Sequence, residues 1–145
     1  MNHKRMFMTT LSKSSGNIQK PKYEVVQAHQ RDILQIKACN EAILPENYTF
    51  DSYQRHLELW PELCLLCVDT NHKVVGYALG MVNVVSNSSK TFYDTEYTGH
   101  VYSIAVYPEY RNQGIGLQLM NELHSRMWIF YVTKTVQLHC LVYFY

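Results

Sequence analysis

Apolar positions along the chain repeat with two different periods, and the switches between those periods outline its elements. Tyr23 to Ala28 alternates as a short strand does, and Arg31 to Ala42 carries Ile33, Leu34, Ile36, Ala38 and Cys39 at helical spacing. Pro45 ends that helix. A second helix is expected over Asp51 to Leu59, with Asp51 as its N-cap and Tyr53, His56, Leu57 and Trp60 along one face. Leu63 to Asp69 and Lys73 to Val82 are apolar runs joined by Thr70-Asn71-His72, which predicts a hairpin. Asn83 to Thr98 is rich in Asn, Ser, Thr and Asp and reads as a flexible loop. His100 to Val106 then predicts a strand, Gly116 to about Trp128 a helix, and Thr135 to Val142 a last strand. Tyr102 and Tyr107 read as core aromatics flanking the middle strand, and Trp60 and Trp128 as packing residues.

The resulting order, β-α-α-β-β-β-α-β, predicts an α+β (mixed α/β) sheet with helices on its faces. With 145 residues, 47% of them hydrophobic, the chain has the makings of a single core. Met1 to Lys20 is polar and lacks the apolar stretch of a secretory signal, so it is expected to be a flexible tail ahead of a domain over residues 21–145. No apolar run approaches the roughly 20 residues that span a bilayer, and the formal net charge of +1 is spread over interspersed charges. That balance predicts a cytoplasmic protein with no direct nucleic-acid partner and no membrane contact.

Cys64 and Cys67 form a C-x-x-C inside an apolar run, where residues three apart point to opposite faces of a strand. No second pair completes a zinc set, so no metal is expected, and Cys39, Cys64, Cys67 and Cys140 read as small apolar side chains.

The candidate chemistry lies in Arg111-Asn112-Gln113-Gly114-Ile115-Gly116, between the strand ending at Val106 and the helix that follows. A glycine turn lets the backbone approach a ligand, and the first amides of a helix have no intrahelical partners, so the segment suits a phosphate. It is not a dinucleotide fingerprint. It sits in the last third of the chain, and Leu117-Gln118-Leu119 follows where a third glycine is needed.

These residues resemble the acetyl-CoA signature of the GNAT acetyltransferases, Arg/Gln-x-x-Gly-x-Gly/Ala. The run of Leu44-Pro45-Glu46-Asn47-Tyr48, Trp60-Pro61-Glu62-Leu63, Val75-Gly76-Tyr77 and Gly99-His100-Val101-Tyr102-Ser103-Ile104-Ala105-Val106 is similar to catalytic subunits of NatA-type N-terminal protein acetyltransferases and their archaeal relatives. The resemblance, from about Tyr23 to Cys140, implies a GNAT acyl-CoA N-acyltransferase fold and acetyl-CoA as co-substrate. It implies that the pantetheine arm pairs with Ile104, Ala105 and Val106, and that the pyrophosphate rests on Arg111, Asn112, Gln113, Gly114, Ile115 and Gly116. Leu44, Glu46 and Tyr48 then line the pocket for the acceptor's first residues, with Glu46 holding the amino terminus or, through water, taking its proton. His100 and His139 match positions from which relatives supply a proton acceptor. The implied reaction is direct acetyl transfer to the α-amino group of proteins or nascent peptides, with a helical auxiliary subunit and the ribosome as partners.

The same resemblance implies a further helix and two strands after the last strand, for which Leu141 to Tyr145 leaves no room, and Leu141 stands where an Arg is usual. A C-terminally incomplete domain is therefore expected, with an unpaired sheet edge and uncovered apolar faces. Two other readings remain beside the first: a GNAT enzyme acting on lysine or a small amine, and an inactive acyl-CoA-binding scaffold.

Overall fold

The computed structural model describes residues 21–85 and 95–139. The tail expected over Met1 to Lys20 and the segment from Cys140 onward lie outside the described residues. Strand β1 (Tyr23–Gln27) leads through a 3-10 turn into helix α1 (Ile33–Ile43), and α2 (Phe50–Leu59) follows. Strands β2 (Cys64–Asp69), β3 (Val74–Val85) and β4 (Glu96–Val106) come next, then α3 (Ile115–Tyr131) and β5 (Thr135–Leu138). The sheet is ordered β1-β2-β3-β4-β5, antiparallel except for the parallel pair β4 and β5.

Local chemistry sets the helix ends. Leu44 is extended (φ −106°, ψ 142°), as a residue before proline must be, so α1 stops there and the chain turns into Pro45. The N-cap of α2 is Thr49 and not Asp51. Thr49 is extended and its Oγ1 accepts a hydrogen bond from the Ser52 amide at 3.2 Å, while Asp51 sits in the first turn, where its carboxylate meets the positive end of the helix. Both residue types cap helices, so composition alone does not choose between them.

The loop expected over Asn83 to Thr98 is paired strand at both of its ends, and its middle, residues 86–94, lies outside the described residues. β3 runs on to Val85 and β4 begins at Glu96, with Asn83 opposite Thr98 and Val85 opposite Glu96. This end of the hairpin is largely exposed, so its polar residues report solvent contact on a paired strand.

The core lies on both faces of the sheet. On one, Ile33, Ile36 and Cys39 of α1 and Tyr53 and Leu57 of α2 pack on Cys64, Leu66, Tyr77 and Leu79. On the other, Ile115, Leu119, Leu123 and Met127 of α3 cover Leu65, Cys67, Val75 and Ala78. Cys64 and Cys67 thus fall on opposite faces, as strand alternation requires. The helix α3 lies so close to β4 that a Cβ on Gly99 would meet the Met127 sulfur at 2.5 Å.

Trp60 is half-buried against the α3-side core. Trp128 is 57% exposed and does not pack as a core residue, and Ile129 and Phe130 beside it are exposed too. Consecutive helical positions step by about 100° around the axis, so a run of apolar residues cannot all face one sheet. With Val132, Val136 and Leu138 they leave apolar surface around the end of α3 and β5.

His56 of α2 is buried, and its Nε2 lies 2.7 Å from the Gly80 carbonyl oxygen of β3. A carbonyl only accepts, so Nε2 carries the proton of a neutral ring. Burial lowers the His56 pKa from 6.5, with the Gly80 bond opposing the shift. The unfolded chain then binds the extra proton, so the contribution of His56 is complete above pH 6.5 and is lost as pH falls toward the lowered value. His56→Gln, which keeps a donor but not the titration, should flatten the acid limb of chemical-denaturation stability below pH 6.5 relative to the parent, and parallel curves would contradict this.

Candidate active site

Pairing between β4 and β5 runs from Thr98 opposite Thr135 to Val101 opposite Leu138 and stops there. Beyond Val101, β4 continues to Val106 with no strand beside that edge among the described residues. A cavity of about 410 Å³ opens here. Ile104, Ala105 and Val106 form its strand side, and Ile43 and Leu44 at the end of α1 face them. Tyr110, Arg111, Asn112, Gly114, Ile115 and Gly116 close the remaining side. The expected coenzyme residues therefore line one cavity, with Gln113 as the exception. The Gln113 side chain turns back to the first strand, where its Oε1 accepts from Tyr23 Oη at 2.7 Å and from Lys22 Nζ at 2.9 Å.

Backbone carbonyls hold the loop. Arg111 Nε donates to the Val106 carbonyl at 3.0 Å, and Tyr107 N donates to the Val75 carbonyl at 3.0 Å. Asn112 (φ 60°) and Gly114 (φ 78°) are left-handed, which swings the chain tightly from strand to helix. Gly114 caps α3 without a side-chain partner, and no acidic residue occupies the first turn. The positive helix end is thus uncompensated by the chain itself.

The glycines provide the fit test for a phosphate-bearing group. A Cβ on Gly114 or Gly116 would meet nothing within 4 Å. Gly116 has an ordinary helical backbone, where glycine costs about 1 kcal/mol relative to alanine. At position 116 neither packing nor dihedral requires glycine, and a residue this small leaves space open in front of the helix end. A diphosphate approaching the backbone amides fits that space and the uncompensated helix end.

Beside the cavity, the turn from Leu44 to Tyr48 leads to a row of rings. Tyr48 stands edge-on to Tyr53 with centroids 5.9 Å apart, and 5.1 Å from Tyr102. Tyr102 stacks on His56 at 4.8 Å, and His56 meets Trp60 at 5.0 Å. Burial, then the Tyr102 phenol and the Glu46 carboxylate, push the Tyr48 phenol up to about 12, which keeps it protonated and a donor. Glu46 itself is exposed. His100 of β4 and His139, the residue after β5, are brought together, their rings 6.2 Å apart and within 5° of parallel.

Sequence reasoning missed Ile43 and Tyr110 as lining residues and misread Tyr102, which is 38% exposed. The signal for Ile43 was present, since it is the last helical residue before Leu44-Pro45. The displacement of Tyr102 depends on strand register and has no sequence signature. Among the described residues no set of three metal-ligating side chains converges, and no helix is long and apolar enough to cross a membrane.

The acetyltransferase (GNAT) family profile matches residues 32–140. The chain belongs to the GNAT acetyltransferase family. It is 35% identical over 108 residues to an N-terminal acetyltransferase A complex catalytic subunit, NAA10, of Arabidopsis thaliana, covering 74% of this chain and 52% of that one. It is 31% identical over 120 residues to an N-alpha-acetyltransferase of Sulfurisphaera tokodaii, covering 83% of this chain and 71% of the archaeal one. This GNAT chain thus spans about half the length of the plant relative. Among solved structures, a NatC complex bound to Gag peptide and CoA aligns with a TM-score of 0.61 at 23% identity, covering 74% of this chain and 67% of that one. Arabidopsis thaliana Naa50 in complex with a bisubstrate analogue aligns with a TM-score of 0.60 at 18% identity, covering 81% and 70%. These structures share the fold.

In this GNAT domain burial pushes the thiol pKa of Cys39 up to about 11, of Cys64 to about 12 and of Cys67 to about 11. All three are protonated and shielded at neutral pH, so none is an acyl-carrying nucleophile. Iodoacetamide at pH 7.4 should add at most one adduct to the native chain by intact mass, at Cys140, and labelling of the other three would contradict the packing. Gly116→Trp should leave the fold intact by circular dichroism while weakening acetyl-CoA binding at least tenfold by calorimetry, whereas Gly116→Ala, which the signature admits, should bind within threefold of the parent. Equal binding by Gly116→Trp and the parent would remove the cradle argument.

Proposed function

We propose that this chain transfers the acetyl group of acetyl-CoA to the α-amino group of a protein or peptide N-terminus by direct attack. The observation that carries the reading is that one short turn borders the cavity at one end and meets Tyr102 at the other. Leu44 lines the cavity, and Tyr48, at the other end of the same short turn, touches Tyr102. The names of the plant and archaeal relatives support an α-amine acceptor.

Arg111, Asn112, Gly114, Ile115 and Gly116 hold the diphosphate in this reading, with the Gln113 amide contributing from the backbone while its side chain fastens the loop. Ile104 and Val106 offer strand-edge hydrogen bonds to the pantetheine amides, while Ala105 between them turns its backbone to β3 and meets the arm by contact alone. Acetyl-CoA, when bound, supplies an acetyl group activated as a thioester. The chain's own task is to place an amine and remove its proton. An α-amine has a pKa near 8, so about a tenth to a fifth is neutral near pH 7, whereas a lysine near 10.4 is almost wholly protonated. Modest help suffices for an α-amine. Glu46, exposed beside Tyr48, receives the proton directly or through water, and the paired His100 and His139 rings are a second acceptor on the strand side. Leu44 and Tyr48 bound the space for the first residues of the acceptor.

The plant relative is named as a complex subunit, and we extend that to this chain: a NatA-type catalytic subunit that joins a helical auxiliary subunit and meets nascent peptides at the ribosome in the cytoplasm. The domain of that subunit occupies residues 21–145.

Paired peptides with free and blocked amino termini, each containing an internal lysine, test the acceptor. Acetylation at the α-amine of the free peptide alone is expected by tandem mass spectrometry, and equal modification of lysine in both would move the protein to the lysine class. Glu46→Gln should lower kcat on the order of 10²-fold while acetyl-CoA Kd changes less than twofold. The reverse pattern would take Glu46 out of proton transfer.

A further inference from the structure

The ladder between β3 and β4 slips by one residue near its middle. Leu79 lies opposite Ser103 and Gly80 opposite Val101, so Tyr102 has no partner of its own. Such a bulge turns its extra residue out of the alternation. Ser103 bonds inward, its Oγ 2.6 Å from the Tyr77 hydroxyl, while Tyr102 remains 38% exposed beside the buried His56.

His56 ties this irregularity down. Its Nε2 donates to the carbonyl of Gly80, the residue at the slip, and its ring lies against Tyr102 with an interplanar angle of 27°. Trp60 supports the histidine ring, and on its other flank Tyr102 contacts Tyr48. A line of contacts therefore runs from α2 through the bulge to the turn that carries Glu46. None of His56, Trp60 and Tyr102 lines the coenzyme cavity.

We infer that Tyr102 is a wall of the acceptor pocket that limits the size of the peptide's first side chain, and that His56 is the positioning residue that holds it there. The inference rests on the α-amine acetyltransferase reading and assigns a specificity role within it. The centroids of Tyr48 and Tyr102 are 5.1 Å apart, so the two rings touch and leave no gap that would admit a third group between them. Shortening Tyr102 removes a phenol from this boundary and frees that volume for a larger first residue. Replacing His56 changes the same boundary only by letting Tyr102 move.

The test uses the full chain with acetyl-CoA and two acceptor peptides identical except for alanine or leucine at the first position. Tyr102→Val, a strand-compatible change, should raise the leucine-to-alanine ratio of kcat/KM at least tenfold, with acetyl-CoA Kd within twofold of the parent. His56→Gln keeps the donor to Gly80 and loses the ring, while His56→Phe keeps a ring and loses the donor; each should raise the ratio by less than Tyr102→Val does. Adding either to Tyr102→Val should bring no further rise, because the histidine acts through the tyrosine. An unchanged ratio in Tyr102→Val overturns the wall while the acetyltransferase reading stands. Additive effects overturn the positioning role of His56. A parent protein that binds acetyl-CoA yet acetylates neither peptide overturns the α-amine reading and this inference with it.

Discussion

Everything at the candidate site depends on where β4 and β5 part. Up to Val101 the strands satisfy each other's backbone groups; past it, the edge of β4 has donors and acceptors with no strand partner among the described residues. An exposed strand edge is ordinarily a hazard, because any extended chain can pair with it. Here Leu44 borders the edge on one side and the loop from Arg111 to Gly116 on the other, which leaves a cavity along it. The start of α3, at the end of the same strand, adds a second set of unpaired amides a few residues on. A ligand with peptide-like amides and a diphosphate matches both sets.

The architecture was largely legible in the sequence because its elements are strongly periodic. The central strand β3 is buried on both faces from Val74 to Gly80, and a continuous apolar run is what such a strand requires. Boundaries were less legible where chemistry is degenerate. Thr49 and Asp51 are both good caps, and the polar end of the β3–β4 hairpin has the composition of a loop. Trp128 reads as a packing residue, yet helical rotation leaves it exposed together with Ile129 and Phe130.

The site divides in the same way. The lining of the cavity is nearly contiguous in sequence, from Ile104 to Gly116 with Ile43 and Leu44 across from it, and a short motif is enough to find it. The rings beside it come from α2, the turn after α1, β4 and the residue after β5, so the proximity of His56, Tyr48 and Tyr102, or of His100 and His139, exists only after folding. Local pattern carries no information about such meetings.

The bulge at Tyr102 also acts as a phase boundary within one strand. Alternation counted from Ile104 to Val106 is offset by one from alternation counted over Glu96 to Val101. The two halves of β4 therefore answer to different partners and can vary independently, the later half bound to the cavity and the earlier half to β5. A deletion of Tyr102 would leave the remaining pairs in register, because Val101 and Ser103 already stand opposite the successive residues Gly80 and Leu79. A one-residue deletion elsewhere in β4 would instead turn part of the strand over, exchanging what is buried under α3 with what faces α2. Any chimera made by joining the front of this domain to the back of a relative must therefore cross β4 at a point that preserves the offset, whatever the identity of the residues on either side.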